Sequence, residues 1–163
     1  MVPTPRQKSA TARRFDSPEQ EAFLSLWRTY DRLRALEDEL FATFDLTPQQ
    51  YNALRLLRAA HPDPVPTLAL ADRLVSRAPD ITRLLDKLEH RGLVTRSRKP
   101  GDRRSVLVGV TAGGLALLDE IAGPLRECHA RQLGHLSAAD LKRLTALLKA
   151  ARAPHESEDS SWR

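Results

Sequence analysis

The apolar positions of the chain fall into helical stretches parted by proline-rich or polar breaks, with one short alternating segment past the middle. Phe23, Leu26, Tyr30, Leu33, Leu40 and Phe44 recur at about seven residues per two turns, broken at Glu37. That spacing predicts a long helix with a seam for another helix. Ahead of it, Ser17-Pro18-Glu19-Gln20 supplies a capping serine, a proline for the first helical position and a glutamine to complete a capping box. Thr47-Pro48-Gln49-Gln50 repeats the signal and opens a second helix through Tyr51, Leu54, Leu57 and Arg58. HPDPVP must end that helix, because proline lacks the N–H and restricts the residue before it. Val65 within this break can add one short edge pairing. Thr67 is expected to cap a short third helix with Leu70, Ala71 and Leu74 inward.

Ser76 is expected to cap the next helix, with Pro79 in its first turn, after a tight corner. Ile81, Leu84, Leu85 and Leu88 sit at i, i+3, i+4 and i+7 and predict one buried face. Asp80, Thr82, Arg83, Asp86, Lys87 and His90 occupy the other, and Gly92 marks the stop. "LVTRSR" and "RSVLVGV" then read as two strands about a Lys99-Pro100-Gly101 turn, with Val106, Val108 and Val110 on one face. Helix returns through Leu115, Leu118, Ile121, Leu125 and Leu133, where Gly123-Pro124 is expected to kink it. Ser137 opens a last helix carrying Leu141, Leu144, Leu147 and Leu148.

Helix, corner, helix, basic hairpin is the element order of a winged helix-turn-helix. The expected fold is therefore mainly α with a small β-hairpin wing: a winged helix-turn-helix domain plus a helical dimerisation region. The expected divisions are a disordered basic arm at 1–16, a dimerisation and scaffold helix at 17–46 and the DNA-binding domain at 47–110. C-terminal dimerisation helices at 111–153 and a flexible tail at 154–163 complete them. Two long terminal segments with apolar seams that one small winged domain cannot cover argue for a homodimer.

Charge sharpens this picture. The chain has 163 residues and a net charge of +5. Between Arg77 and Arg104 stand nine basic residues against four acidic ones, an excess equal to that of the whole chain. A localised basic excess suits a polyanion partner. A helix fits the roughly 12 Å wide major groove of DNA, and a hairpin beside it can reach the minor groove. Thr82, Arg83 and Lys87 are the expected contacts on the reading helix, with Arg77 and Asp80 near its start. For Asp80, capping the helix outweighs accepting from a cytosine. Asp86 is expected to pair with a neighbouring base along the helix. Arg98, Lys99 and Arg103 are expected at phosphates, and Asp102 is expected to orient a wing arginine.

Residues 70–114, "LADRLVSRAPDITRLLDKLEHRGLVTRSRKPGDRRSVLVGVTAGG", resemble the core of MarR-type transcriptional regulators. The family's wing motif stands here as Asp102, Arg104, Val106, Val108, Val110 and Thr111, with Val110 where leucine is usual. The resemblance implies that Arg104 enters the minor groove. It also implies a homodimer, built from the first and the two last helices, on a pseudo-palindromic double-stranded DNA operator. Many such regulators repress, and lose DNA affinity on sensing a small lipophilic compound, an oxidant or a metal.

Phe23, Trp27 and Tyr30 are candidates for an effector pocket, against the plainer reading of core or interface. Cys128, beside Arg126 and His129, is weighed as a redox sensor against a buried inert thiol. Cys128 and His135 alone do not make a metal site, so no metal is expected, and no cofactor. No phosphate loop, HExxH or GxSxG is present, which argues against an enzyme. No long apolar run suggests a membrane span, and a single cysteine fits a cytoplasmic location. A non-specific nucleic-acid-binding architectural protein is the alternative, weakened by a 5% aromatic content.

Overall fold

The computed structural model of the chain describes residues 15–75, 80–99, 101–158, 160 and 162. Its helices are α1 (Pro18–Ala42), α2 (Pro48–Ala60), α3 (Thr67–Arg73), α4 (Ile81–His90), α5 (Ala112–Leu133) and α6 (Ala138–Arg152). Its strands are β1 (Val65–Pro66), β2 (Val94–Lys99) and β3 (Asp102–Val110). This is the mainly α architecture with a hairpin wing that the pattern predicts. Among the described residues no helix is long and apolar enough to cross a membrane.

Contacts divide the chain after Arg34 into two units. In the first, Ser17 Oγ accepts from the Gln20 N–H at 3.1 Å, as a capping serine does. Gln20 Oε1 reaches back to the Asp16 N–H, one residue before the donor that a standard capping box uses. Phe23, Trp27 and Tyr30 are 61%, 62% and 58% exposed, so this stretch of the predicted seam is open.

The second unit contains the core. Leu54 and Leu57 of α2, Leu70 of α3, Leu85 and Leu88 of α4, Val108 of β3, and Leu118 and Ile121 of α5 close on one another with Phe41. Each fully buried leucine contributes about 1.5–3 kcal/mol. The Thr47 capping box forms as predicted, with reciprocal bonds between Thr47 and Gln50. Thr67 is not a cap. The N-cap of α3 is Pro66, and the Thr67 hydroxyl instead donates to Val106 O at 3.1 Å, tying α3 to β3. α5 runs through Pro124 as one helix.

Two helix ends share one geometry. After α1, the Leu46 N–H bonds Phe41 O and the Asp45 N–H bonds Ala42 O, with Asp45 at φ +52°. After α4, the Leu93 N–H bonds Leu88 O and the Gly92 N–H bonds Glu89 O, with Gly92 at φ +69°. Both are Schellman endings, which need a left-handed residue one step past the cap. The apolar residues that bracket each ending, Phe41 with Leu46 and Leu88 with Leu93, are buried.

The sheet has the order β1-β3-β2, antiparallel throughout. Val65 pairs with Val108, which realises the predicted edge contact. At the base of the wing, Thr111 fastens three elements. Its N–H bonds Leu93 O at 3.1 Å, its hydroxyl donates to Gly92 O at 2.6 Å, and Oγ1 accepts from the Gly114 N–H at 3.1 Å. The approach is so close that a Cβ on Gly114 would lie 2.3 Å from Leu93 O and 2.7 Å from Val110 Cγ2. Beyond α5, α6 buries no residue, and Leu147 is 62% exposed. The segment expected as a loose tail carries a 3-10 turn, Ala153–His155. Both Nε and Nη2 of Arg152 donate to Trp162 O, at 3.3 and 3.1 Å.

Gly114→Ala is expected to lower stability by about 1–3 kcal/mol, because backbone, not a flexible side chain, blocks the added methyl. Gly113→Ala, whose Cβ would meet nothing closer than 3.5 Å, is expected to stay within about 1 kcal/mol of wild type. Thermal melting of the two variants side by side checks both.

Candidate nucleic-acid interface

α4 starts one turn later than the sequence suggests. Its N-cap is Asp80, whose Oδ1 accepts from the Arg83 N–H at 2.9 Å. The predicted Ser76 cap and Pro79 first turn are thus corrected, and residues 76–79 lie outside the described residues. A carboxylate at this position satisfies an orphan N–H and faces the positive end of the helix dipole, which favours it over serine farther out. Asp80 is therefore engaged as a cap, the stronger of its two readings.

From there the helix sorts its residues cleanly. Leu84, Leu85 and Leu88 are buried, while Thr82, Arg83, Asp86, Lys87 and His90 are exposed. Thr82 borders a recess of about 320 Å³ that it shares with Leu68, Arg96 and Ser105 at the foot of the wing. Two carboxylates, Asp86 and Glu89, also sit on this helix, and left alone they would repel a polyanion.

Arg96 of β2 engages both. It stands opposite Val108, on the face of the hairpin that packs inward with Val94. Its Nη2 lies 2.6 Å from Asp86 Oδ1 and 2.5 Å from Glu89 Oε2, and its Nε donates to Glu89 Oε2 at 2.9 Å. The hydrogen bond from Arg96 holds the Glu89 carboxyl below its ordinary value, against the opposing effect of burial. In return, the bonds to Glu89 and then Asp86 push the guanidinium above its own. Asp86 accordingly pairs across to the strand, not along its own helix as expected. One side chain fixes the hairpin to the reading helix and offsets one of the two negative charges there.

The wing itself is only partly described. Arg98 is exposed opposite Val106, and β2 pairs Lys99 with Asp102 across a register shift at Arg98/Lys99. Arg77 lies outside the described residues, as do the side chains of Lys99, Arg103 and Arg104, although their backbones run in β2 and β3. Asp102 Oδ2 accepts from the Ser105 hydroxyl at 2.6 Å, a bond within the wing.

Sequence reasoning passed over Arg96. Strand parity was the available signal: Val94 and Arg96 share a face, so a buried-side arginine needs acids, and Asp86 and Glu89 stand at i, i+3 on the preceding helix.

The other candidates separate. Phe23, Trp27 and Tyr30 come together with Leu26 around an open apolar groove of about 500 Å³ on the first unit. Cys128 is buried, and burial, with Glu37 adding to it, raises its thiol pKa despite Arg131. Arg126 and His129 therefore do not activate it. His129 Nε2 lies 3.3 Å from Glu37 Oε1 instead. Among the described residues no group of three His, Cys, Asp or Glu side chains is placed to hold a metal ion.

A MarR family model matches residues 46–106. A crystal structure of a MarR transcription factor from Planctomyces limnophilus is 56% identical, over 84% of this chain and 99% of that one, at a TM-score of 0.67. A cysteine-to-serine mutant of MarR from E. coli, complexed with operator DNA, is 26% identical over 80% of this chain and 93% of that one, at 0.73. BpsR of Bordetella bronchiseptica, whose DNA binding is regulated by 6-hydroxynicotinic acid, is 25% identical over 88% and 99% respectively, at 0.74.

Two measurements test the electrostatics. Because Glu89 has a depressed pKa in the fold, its ion pair contributes above the ordinary value of 4.5 and is lost only as pH falls through the lower folded value. Its side-chain carbon resonance is expected to titrate below 4.5, and to move up toward that value in Arg96→Gln. Cys128 is expected to react with a disulfide reagent slowly at mildly alkaline pH and fast in denaturant. Rapid labelling of the native protein would contradict its burial.

Proposed function

The chain belongs to the MarR family of transcription regulators, and on that premise we propose that it is a homodimeric repressor binding a pseudo-palindromic DNA operator. One observation carries the reading: α4 offers Arg83, Lys87 and His90 to solvent while Arg96 holds its two acids and joins it to the wing. Arg83 and Lys87 stand exposed on a helix whose two acids share one guanidinium, and a helix of that width enters a major groove. Arg83, with Lys87 and Thr82, takes the base edges, where a bidentate arginine–guanine contact discriminates by about 1–3 kcal/mol. Arg98, Lys99 and Arg103 take phosphates, Arg77 contacts DNA near the helix start, and Arg104 enters the minor groove. Asp102 steadies the wing from within through bonds such as that from Ser105.

Dimerisation is supported by apolar surface left uncovered in one chain. Leu26, Trp27 and Tyr30 of α1 and Leu147 of α6 are all exposed. A twofold pairing sets two reading helices roughly 34–36 Å apart, one DNA turn. The likeness to BpsR supports release of DNA by a small molecule, and the groove of Phe23, Trp27 and Tyr30 is the candidate place for it.

Selection of duplexes from a random pool, followed by competition against scrambled DNA, tests the reading. A preference of about 10³ or more at physiological salt is expected. Equal affinity for both would make the protein a non-specific binder. Arg83→Ala is expected to relax the preference about 10- to 100-fold at one base pair of each half-site. Arg104→Ala is expected to weaken binding more than Arg163→Ala does, with a shallower salt dependence.

A further inference from the structure

We propose that Arg91 is a positioning residue for DNA binding. It fastens the carboxyl end of the reading helix to the turn between α1 and α2, and so sets the angle at which that helix is presented. The proposal rests on the DNA-binding reading above and adds a residue to it.

Arg91 is the C-cap of α4, and its own N–H bonds Lys87 O. Its side chain leaves the helix and crosses to the other Schellman ending, 46 and 47 residues earlier in the chain. There Nη1 donates to Asp45 O and Nη2 donates to Phe44 O at 3.1 Å. The Schellman bonds of that turn occupy the carbonyls of Phe41 and Ala42, and the guanidinium takes those of Phe44 and Asp45. Nε lies 3.9 Å from Asp45 Oδ2, which adds a weak ionic contact. With 30% of its side chain exposed, Arg91 is held here and is not a freely solvated charge.

The surroundings explain why one side chain matters. An open groove of about 690 Å³ runs between the α1–α2 turn and the outer flank of α4. Ala42, Leu46, Thr47 and Gln50 line one side, and Asp86, Lys87 and His90 line the other. Apolar packing fixes the inner face of α4, and across this groove the Arg91 guanidinium bonds the helix end to the α1–α2 turn. The planar fork matches two adjacent carbonyls, whereas a lysine ammonium is a single point charge on a floppier stem. Arg96 holds the same helix from the wing side, so α4 is fastened on two flanks by two arginines.

The test uses the full chain and a duplex selected by the wild type from a random pool. Arg91→Lys keeps the charge, and Arg91→Gln removes it. Both are expected to bind the selected duplex about tenfold more weakly or worse, as for losing a charged hydrogen bond. Arg91→Lys is expected to keep the wild-type salt slope and the wild-type affinity for scrambled DNA. Its Asp45, Leu46, Gly92 and Leu93 amides are expected to exchange faster with solvent, while those of the β2–β3 ladder are unchanged. Wild-type affinity in Arg91→Lys, with a salt slope lower by about one in Arg91→Gln, would make Arg91 a plain phosphate contact and overturn the proposal. Wild-type behaviour in both variants would overturn it too. If Arg91→Gln does not fold, Arg91→Lys decides alone. A wild type that selects no duplex would instead bring down the DNA-binding reading, and this proposal with it.

Discussion

An arginine held between two carboxylates is the constraint on which the interface depends. A recognition surface for DNA has to be basic, yet helices tolerate and often need acids, both for capping and for solubility. In this chain the acids of α4 are of two kinds. Asp80 is consumed by the helix start, where the dipole welcomes it. Asp86 and Glu89 share Arg96, which also brings β2 against the helix. One guanidinium offsets part of that negative charge, and the exposed Arg83 and Lys87 supply the cations.

That arrangement needs a rigid footing, and the footing is backbone. Leu93 O and Gly92 O receive Thr111, and Gly114 lets α5 start within touching distance of the same carbonyl. The exit of α4, the roots of both wing strands and the start of α5 thus share one small knot. A shift in any one of them moves the others. The hydrophobic core beneath supplies most of the stability, whereas the knot supplies direction, which is what a reading head requires.

Much of this was legible beforehand. Periodicity located each helix, and the alternation of Val106, Val108 and Val110 located the wing, because burial imposes those repeats on sequence. Helix starts were less secure. Thr47 behaved as a cap, but Thr67 gave its hydroxyl to β3, and Asp80 took the role expected of Ser76. A hydroxyl or carboxylate has several possible partners, and only the fold decides which is nearest. The roles of Arg91 and Arg96 were hidden for a related reason. Each reaches across to a partner on a different element, and a linear reading of charge counts them merely as basic residues. What periodicity does not encode is which cations are left over for a ligand once the fold has claimed its own.

The strand order adds one consequence. With β3 central, β2 is an outer strand of the sheet, and among the described residues one of its edges has no neighbouring strand. Bare edges invite pairing with another molecule's strand and, from there, clumping. Arg98 is exposed on this strand, and stacking two such ribbons would bring like charges together. A strand cation suited to a nucleic acid thereby also guards against self-association, a protection that weakens where an acidic polymer screens it.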